Sequence, residues 1–138
     1  MDNLPSIPEN WMFHHVGYAT RNIDREYNVF SLLGYQKDGE TFCDPTQGVV
    51  GCFLTGPGPR MELLEPMPGS ETLTPFLSAG IKMYHLGYQV KNIELALDWV
   101  KSNKGKVIVN PVPAIAFGCH RISFVMFRNG LLIELIEG

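Results

Sequence analysis

The chain repeats itself. His15-Val-Gly-Tyr-Ala-Thr-Arg-Asn-Ile23 matches His85-Leu-Gly-Tyr-Gln-Val-Lys-Asn-Ile93 at an offset of 70, with His, Gly, Tyr, Asn and Ile identical. Downstream, Met61-Glu-Leu-Leu-Glu65 matches Ile133-Glu-Leu-Ile-Glu137 at an offset of 72. Two matches in the same order at nearly equal spacing read as two copies of one module, and repeated modules bury their apolar faces against each other. The expectation is one domain over residues 1–138: a first module over 12–67, a linker over 68–82 and a second module over 83–138.

Each copy reads as β-α-β-β-β. Met12 to Ala19 and Met83 to Val90 carry β-formers and aromatics and are predicted strands. Asn22 and Asn92 follow at N-cap positions, each with an acidic residue in the next turn (Asp24, Glu94). Ile23, Tyr27, Phe30 and Leu33 then fall at helical spacing, as do Ile93, Leu97 and Val100. Gly34 and Gly105 mark the helix ends. The remaining predicted strands are Tyr35 to Phe42, Gly48 to Thr55 and Arg60 to Pro66 in the first copy. In the second they are Lys106 to Asn110, His120 to Arg128 and Leu131 to Ile136. A short helix is expected near Thr74 to Ser78. The fold class is therefore α+β, two βαβββ modules forming a half-open barrel whose concave interior can hold a ligand.

Composition narrows the function. Hydrophobic residues are 45% and charged residues 18% of the chain, enough to build a packed interior. Eleven Lys+Arg against fourteen Asp+Glu give a formal net charge of −3, which argues against nucleic acid as a partner. No apolar run approaches the roughly 20 residues that span a bilayer, so no membrane partner is expected. The N-terminal MDNLPSIPENW has no apolar core of the secretory type. Three cysteines form no C-x-x-C pair, and the chain reads as cytoplasmic.

The repeat also places polar residues at equivalent points. His15 and His85 open the first strands, and Glu62 and Glu134 lie on the last strands. Alternation puts Glu134 on a face with Leu132 and Ile136, and Glu62 with Leu64. A carboxylate among apolar strand neighbours needs a charge partner. Two imidazoles and two carboxylates make an N2O2 set for a divalent metal, which would be that partner. His14 is expected on the opposite face from His15, in a structural role. Glu65 and Glu137 also repeat and are expected exposed at strand ends.

With HHVGYATRNI, MELLEP, YHLGYQVKNI and GLLIELIE, the chain resembles the vicinal oxygen chelate superfamily. That superfamily includes glyoxalase I, methylmalonyl-CoA epimerase, extradiol dioxygenases and drug-sequestering proteins. The resemblance runs from Phe13 to Glu137 and is nearest the glyoxalase I and epimerase branch. It implies metal ligands at His15, Glu62, His85 and Glu134, the same four residues. It further implies a metal-dependent isomerase or lyase, lactoylglutathione lyase-like or methylmalonyl-CoA epimerase-like, that takes a proton from the carbon next to a metal-bound carbonyl. Glu134 and Glu62 are then the candidate bases, and their symmetry leaves the choice open. The metal could be Zn, Ni, Co, Mn or Fe. The substrate would be a small molecule such as a thiol adduct or a CoA thioester, and the assembly a homodimer.

One motif departs from the branch. Where its epimerases carry a base glutamate ahead of a Gly-Val pair, this chain has Asp44-Pro-Thr-Gln-Gly48-Val49, with Thr46 at the aligned position. Arg121, Arg60 and Lys82 are candidate cations for an anionic substrate. The apolar segment from Asn110 to Gly118 is read as an irregular connection, with Phe117 as a cavity wall. Two alternatives stand beside the isomerase. A metal-free small-molecule binder would have no need of four ligands. A non-haem iron dioxygenase would use His15, His85 and Glu134 and leave Glu62 over.

Overall fold

The protein is described from a computed structural model covering Pro8 and residues 10–138. Of the N-terminal stretch read above for a secretion signal, residues 1–7 and 9 lie outside the described residues. Among the described residues no helix is long and apolar enough to cross a membrane.

The first copy folds as β1 (Met12–Ala19), α1 (Ile23–Leu32), β2 (Gln36–Asp44), β3 (Val49–Thr55) and β4 (Met61–Pro66). A short helix, α2 (Thr74–Ala79), follows. The second copy is β5 (Met83–Val90), α3 (Ile93–Ser102), β6 (Lys106–Pro113), β7 (Arg121–Met126) and β8 (Leu132–Glu137). A single 3-10 turn, Ile115–Phe117, separates β6 from β7. The strands join in one open eight-stranded sheet, ordered β2-β3-β4-β1-β5-β8-β7-β6. This is the α+β architecture expected from the repeat. The two copies meet where β1 pairs antiparallel with β5, and each copy closes on itself through a parallel pair, β1 with β4 and β5 with β8.

Strand alternation divides the core between the two sheet faces. Met61 and Leu63 pack outward with Tyr18, Ile23 and Leu54 beneath α1. Ile133 and Leu135 do the same with Ile93, Ala96 and Val100 beneath α3. Fully burying side chains of this size stabilises the fold by about 1.5–3 kcal/mol each. Leu64 and Ile136 face the other way, into two smaller concave clusters.

Both helices start as expected. The Asn22 carboxamide oxygen accepts from the Arg25 amide and that of Asn92 from the Leu95 amide. Glu65 and Glu137, expected to be exposed, instead fold back onto the same helix starts. The Glu65 carboxylate accepts from the Ile23 amide at 2.9 Å, and the Glu137 carboxylate from the Ile93 amide at 3.2 Å. A carboxylate is favoured there because the first-turn amides lack intrahelical partners and the helix dipole is positive at that end.

Two further expectations are corrected. β6 runs to Pro113, through the segment read as irregular. It lies at the sheet edge, where Pro111 and Pro113 withhold no ladder bond the sheet needs. β1 carries an irregularity between Phe13 and His15 in its pairing with β5. That bulge breaks the alternation and brings His14 onto the His15 side of the strand, against the face assigned from sequence.

Candidate metal centre

The four central strands, β4, β1, β5 and β8, each contribute one polar side chain to the concave face: Glu62, His15, His85 and Glu134. The pairing register explains why they converge. Gly17 lies between Glu62 on β4 and His85 on β5, and Gly87 lies between His15 on β1 and Glu134 on β8. A Cβ on Gly17 would occupy the space of the His85 ring, and one on Gly87 that of the His15 ring. The His-x-Gly of each copy thus supplies an imidazole and, two residues on, the gap for the other copy's imidazole.

All four groups are buried, His15 at 0% and the other three at 3% exposure. The two Nε2 atoms are 3.0 Å apart. His15 Nε2 is 3.1 Å from Glu62 Oε1 and 3.0 Å from Glu134 Oε1. His85 Nε2 is 3.6 and 3.3 Å from the same two oxygens. Atoms bound side by side at about 2.1 Å from a cation are themselves about 3.0–3.4 Å apart, so these separations suit one ion. A second observation agrees. Glu134 Oε1 is buried 3.0 and 3.3 Å from the two ring nitrogens and is left without a hydrogen-bond partner. A buried carboxylate oxygen left over at bonding distance from two ring nitrogens is what a shared cation would satisfy.

Without a cation, protonated imidazole balances the buried carboxylates. Burial lowers the His15 pKa, but Glu62 and Glu134 overcome it and push the imidazole up to about 10. For Glu62, burial works upward and His15 and His85 work downward, holding the carboxyl at about 2. His85 is raised, burial and His15 opposing and the two carboxylates prevailing.

Aromatic rings wall the cluster. Phe53 pairs with Glu62 across β3–β4, and Phe124 pairs with Glu134 across β7–β8. Phe124 meets the His85 ring edge-on at 5.1 Å, as does Tyr84 at 4.5 Å. Burial holds the Tyr84 phenol well above its ordinary pKa. Phe117 stacks over His15 at 5.9 Å and also meets His14 and Phe53. It therefore backs the His15 ring and is absent from the cavity lining. The cavity opens on the His85 side, with a volume of about 270 Å³. Glu62, His85 and Glu134 form its polar floor, Phe42, Leu64, Phe76 and Phe124 its walls, and Gln47 and Thr72 its rim polar groups.

Arg121 lies elsewhere. Its guanidinium is taken up by Glu94 at 2.8 Å and Glu137 at 2.9 Å, beside the α3 start. Arg60 is bound to His14, Lys82 to Glu26, and among the described residues no Lys or Arg lines the cavity. Asp44 is 1% exposed and fully engaged, accepting from the Gln47 amide, the Gln47 carboxamide and the Ile115 amide. It ties the β2–β3 turn to the 3-10 turn and has no free oxygen for proton transfer. Thr46 borders a separate surface recess with Gln47 and Gly48. Among the described residues the carboxylates on the cavity are thus Glu62 and Glu134.

Sequence reasoning missed His14, Gly17, Gly87, Phe53, Phe124 and Tyr84 as parts of the site. The glycines and the two phenylalanines carried a signal, since both pairs recur in the repeat. His14 carried none, because a bulge is invisible to alternation.

The chain is similar to known proteins. Residues 14–124 match the Glyoxalase/Bleomycin resistance protein/Dioxygenase superfamily. The chain is 31% identical over 128 residues to an ethylmalonyl-CoA/methylmalonyl-CoA epimerase of Cereibacter sphaeroides, covering 88% of this chain and 94% of that one. A hypothetical protein of Bacillus halodurans C-125 superposes with a TM-score of 0.78 at 29% identity, over 94% of this chain and 96% of that one. A variant of the Streptomyces coelicolor methylmalonyl-CoA epimerase, solved with 2-nitronate-propionyl-CoA, shares the fold. Its TM-score is 0.75 at 20% identity, over 92% and 96% of the two chains.

Proposed function

The chain belongs to the glyoxalase/bleomycin resistance/dioxygenase superfamily, and on that premise we propose that it is a metal-dependent epimerase of 2-alkylmalonyl-CoA-type thioesters. The observation that carries the proposal is the buried His15–Glu62–His85–Glu134 cluster at the floor of an apolar cavity. The 31% identity to an epimerase narrows the reaction class. In the metal-dependent reading, His15, Glu62, His85 and Glu134 hold a divalent cation of the Zn, Ni, Co, Mn or Fe type. When bound, that cation supplies Lewis-acid stabilisation of a carbonyl oxygen that gains negative charge.

The protein's own residues do the rest. Phe42, Leu64, Phe76 and Phe124 exclude water, which strengthens every electrostatic contact on the cavity floor. Epimerisation needs a proton removed from one face of the α-carbon and returned to the other. Glu62 and Glu134 come from opposite halves of the sheet, and either carboxylate can accept or return that proton. Asp44 is committed to the turn and takes no part. Among the described residues the cavity wall has no Lys or Arg, so an acyl carboxylate would find its counter-charge at the floor. The CoA portion would extend through the open side beyond Gln47 and Thr72.

The test is α-proton exchange. Protein loaded with Co(II) or Zn(II) and given 2-ethylmalonyl- or methylmalonyl-CoA in D2O should lose the α-proton signal and interconvert the two epimers. Metal-loaded protein that exchanges neither substrate above the protein-free rate would overturn the proposal. Turnover of the methylglyoxal hemithioacetal instead would move the activity to the lyase reading.

A further inference from the structure

We infer that His14 is the positioning residue of the His15 ligand, and that Arg60 competes with His15 for the single lone pair His14 can offer. The inference rests on the metal-binding reading of the cluster, and it concerns residues outside the ligand set.

The bulge in β1 sets the two imidazoles edge to face, ring centroids 5.1 Å apart, with His14 Nδ1 2.9 Å from His15 Nδ1. The other nitrogen of His14, Nε2, lies 2.8 Å from Arg60 Nη1. Phe53 and Phe117 close on the His14 ring from its sides. The line therefore runs Arg60, His14, His15, and then the shared point among the four ligand atoms.

Hydrogen-bond arithmetic makes that line selective. A guanidinium only donates, so its bond to His14 requires a bare Nε2. A neutral imidazole has one bare nitrogen, so His14 then carries its proton on Nδ1. A cation held at His15 Nε2 leaves the proton of a neutral His15 on Nδ1, facing His14 Nδ1. Two N–H groups would then meet head-on. The contact becomes a bond only if the His14 proton moves to Nε2, leaving Nδ1 bare toward His15. Whenever that bond forms, with the cation bound or with His15 doubly protonated, Arg60 loses its acceptor. It is exposed and can turn to water at little cost.

The second copy supplies an internal comparison. Tyr84 stands where His14 stands in the first, and His85 Nδ1 has no partner. Only His15 is fitted with an outer acceptor that can fix its ring and strengthen its donor nitrogen. Such outer partners typically govern metal affinity by 10–100-fold.

Two measurements on the full chain, neither of them enzymatic, test this. The first is Zn(II) affinity by competition with a chromophoric chelator, for wild type, His14→Ala, His14→Gln, Arg60→Met and the double variant. The expectation is a loss of about 10–100-fold in His14→Ala. His14→Gln, whose carbonyl oxygen can still accept, should recover part of it. Arg60→Met should bind as tightly as wild type or tighter, and lose that effect when His14 is also removed. The second is ring 15N chemical shifts of the Zn-loaded protein, which should show His14 protonated at Nε2. Unchanged affinity in His14→Ala, a loss in Arg60→Met matching that in His14→Ala, or a Zn-loaded His14 protonated at Nδ1 would each overturn the inference. If no protein binds Zn(II) or Co(II) at all, the metal reading itself fails. If wild type binds and the variants do not sort as stated, only the role of His14 fails.

Discussion

The imidazole of His85 fills the space that a Cβ on Gly17 would need, and the two residues face each other across the β1–β5 seam. His15 and Gly87 repeat the relationship with the halves exchanged. Each copy is incomplete alone, because each holds the space for the other's imidazole. Gly17→Ala and Gly87→Ala should therefore push an imidazole off the shared point. The expected outcome is loss of Zn(II) binding and a destabilisation of about 1–3 kcal/mol, read by chelator competition and by urea unfolding. Tight metal binding in either variant would show that the rings have room to spare.

His85→Ala and Glu134→Ala should each abolish metal retention after dialysis while leaving the far-UV circular dichroism unchanged, because the helices and the convex clusters pack on the other sheet face. Metal content by atomic absorption checks this. Arg121→Ala should leave metal content and substrate KM as they are, since the guanidinium serves Glu94 and Glu137 and not the cavity.

The metal-free protein should show a stability maximum in mildly acid solution. His15 is raised from 6.5 to about 10 on folding, so its contribution is complete below about 6.5 and lost as pH rises through about 10. Glu62 is lowered from 4.5 to about 2, so its contribution is complete above about 4.5 and lost as pH falls through about 2. Urea unfolding of chelator-treated protein should decline on both sides of that window. A flat profile up to pH 10 would contradict the pairing. Metal should remove much of the alkaline decline, because it replaces the proton on His15.

Glu65→Gln should cost about 0.5–2 kcal/mol by weakening the start of α1, with metal affinity unchanged. Coupled losses of stability and metal affinity would show instead that β4 transmits the cap to Glu62, three residues away.

The repeat made much of this legible before any coordinates. Matching His-x-Gly and Glu-x-x-Glu spacings, together with alternation, reached the βαβββ order and the four converging side chains, because strand periodicity fixes a face and duplication fixes a partner. The second glutamate of each pair was misread. Whether a strand-end carboxylate meets water or a helix start depends on how α1 and α3 lie across the sheet.

Arg121 shows the same limit. Being near the cavity in sequence says nothing of which of two carboxylates, Glu94 and Glu137, will capture a long cation first. The linear chain, then, determined the architecture and the four converging side chains, since both follow from periods of two and of seventy residues. Only the folded molecule decided the surroundings of that set: His14 turned inward by a one-residue irregularity, Phe117 laid behind His15, Asp44 spent on a turn. The first two depend on contacts between segments far apart in the chain, and Asp44 is engaged both by Gln47 in its own turn and by the distant Ile115 amide.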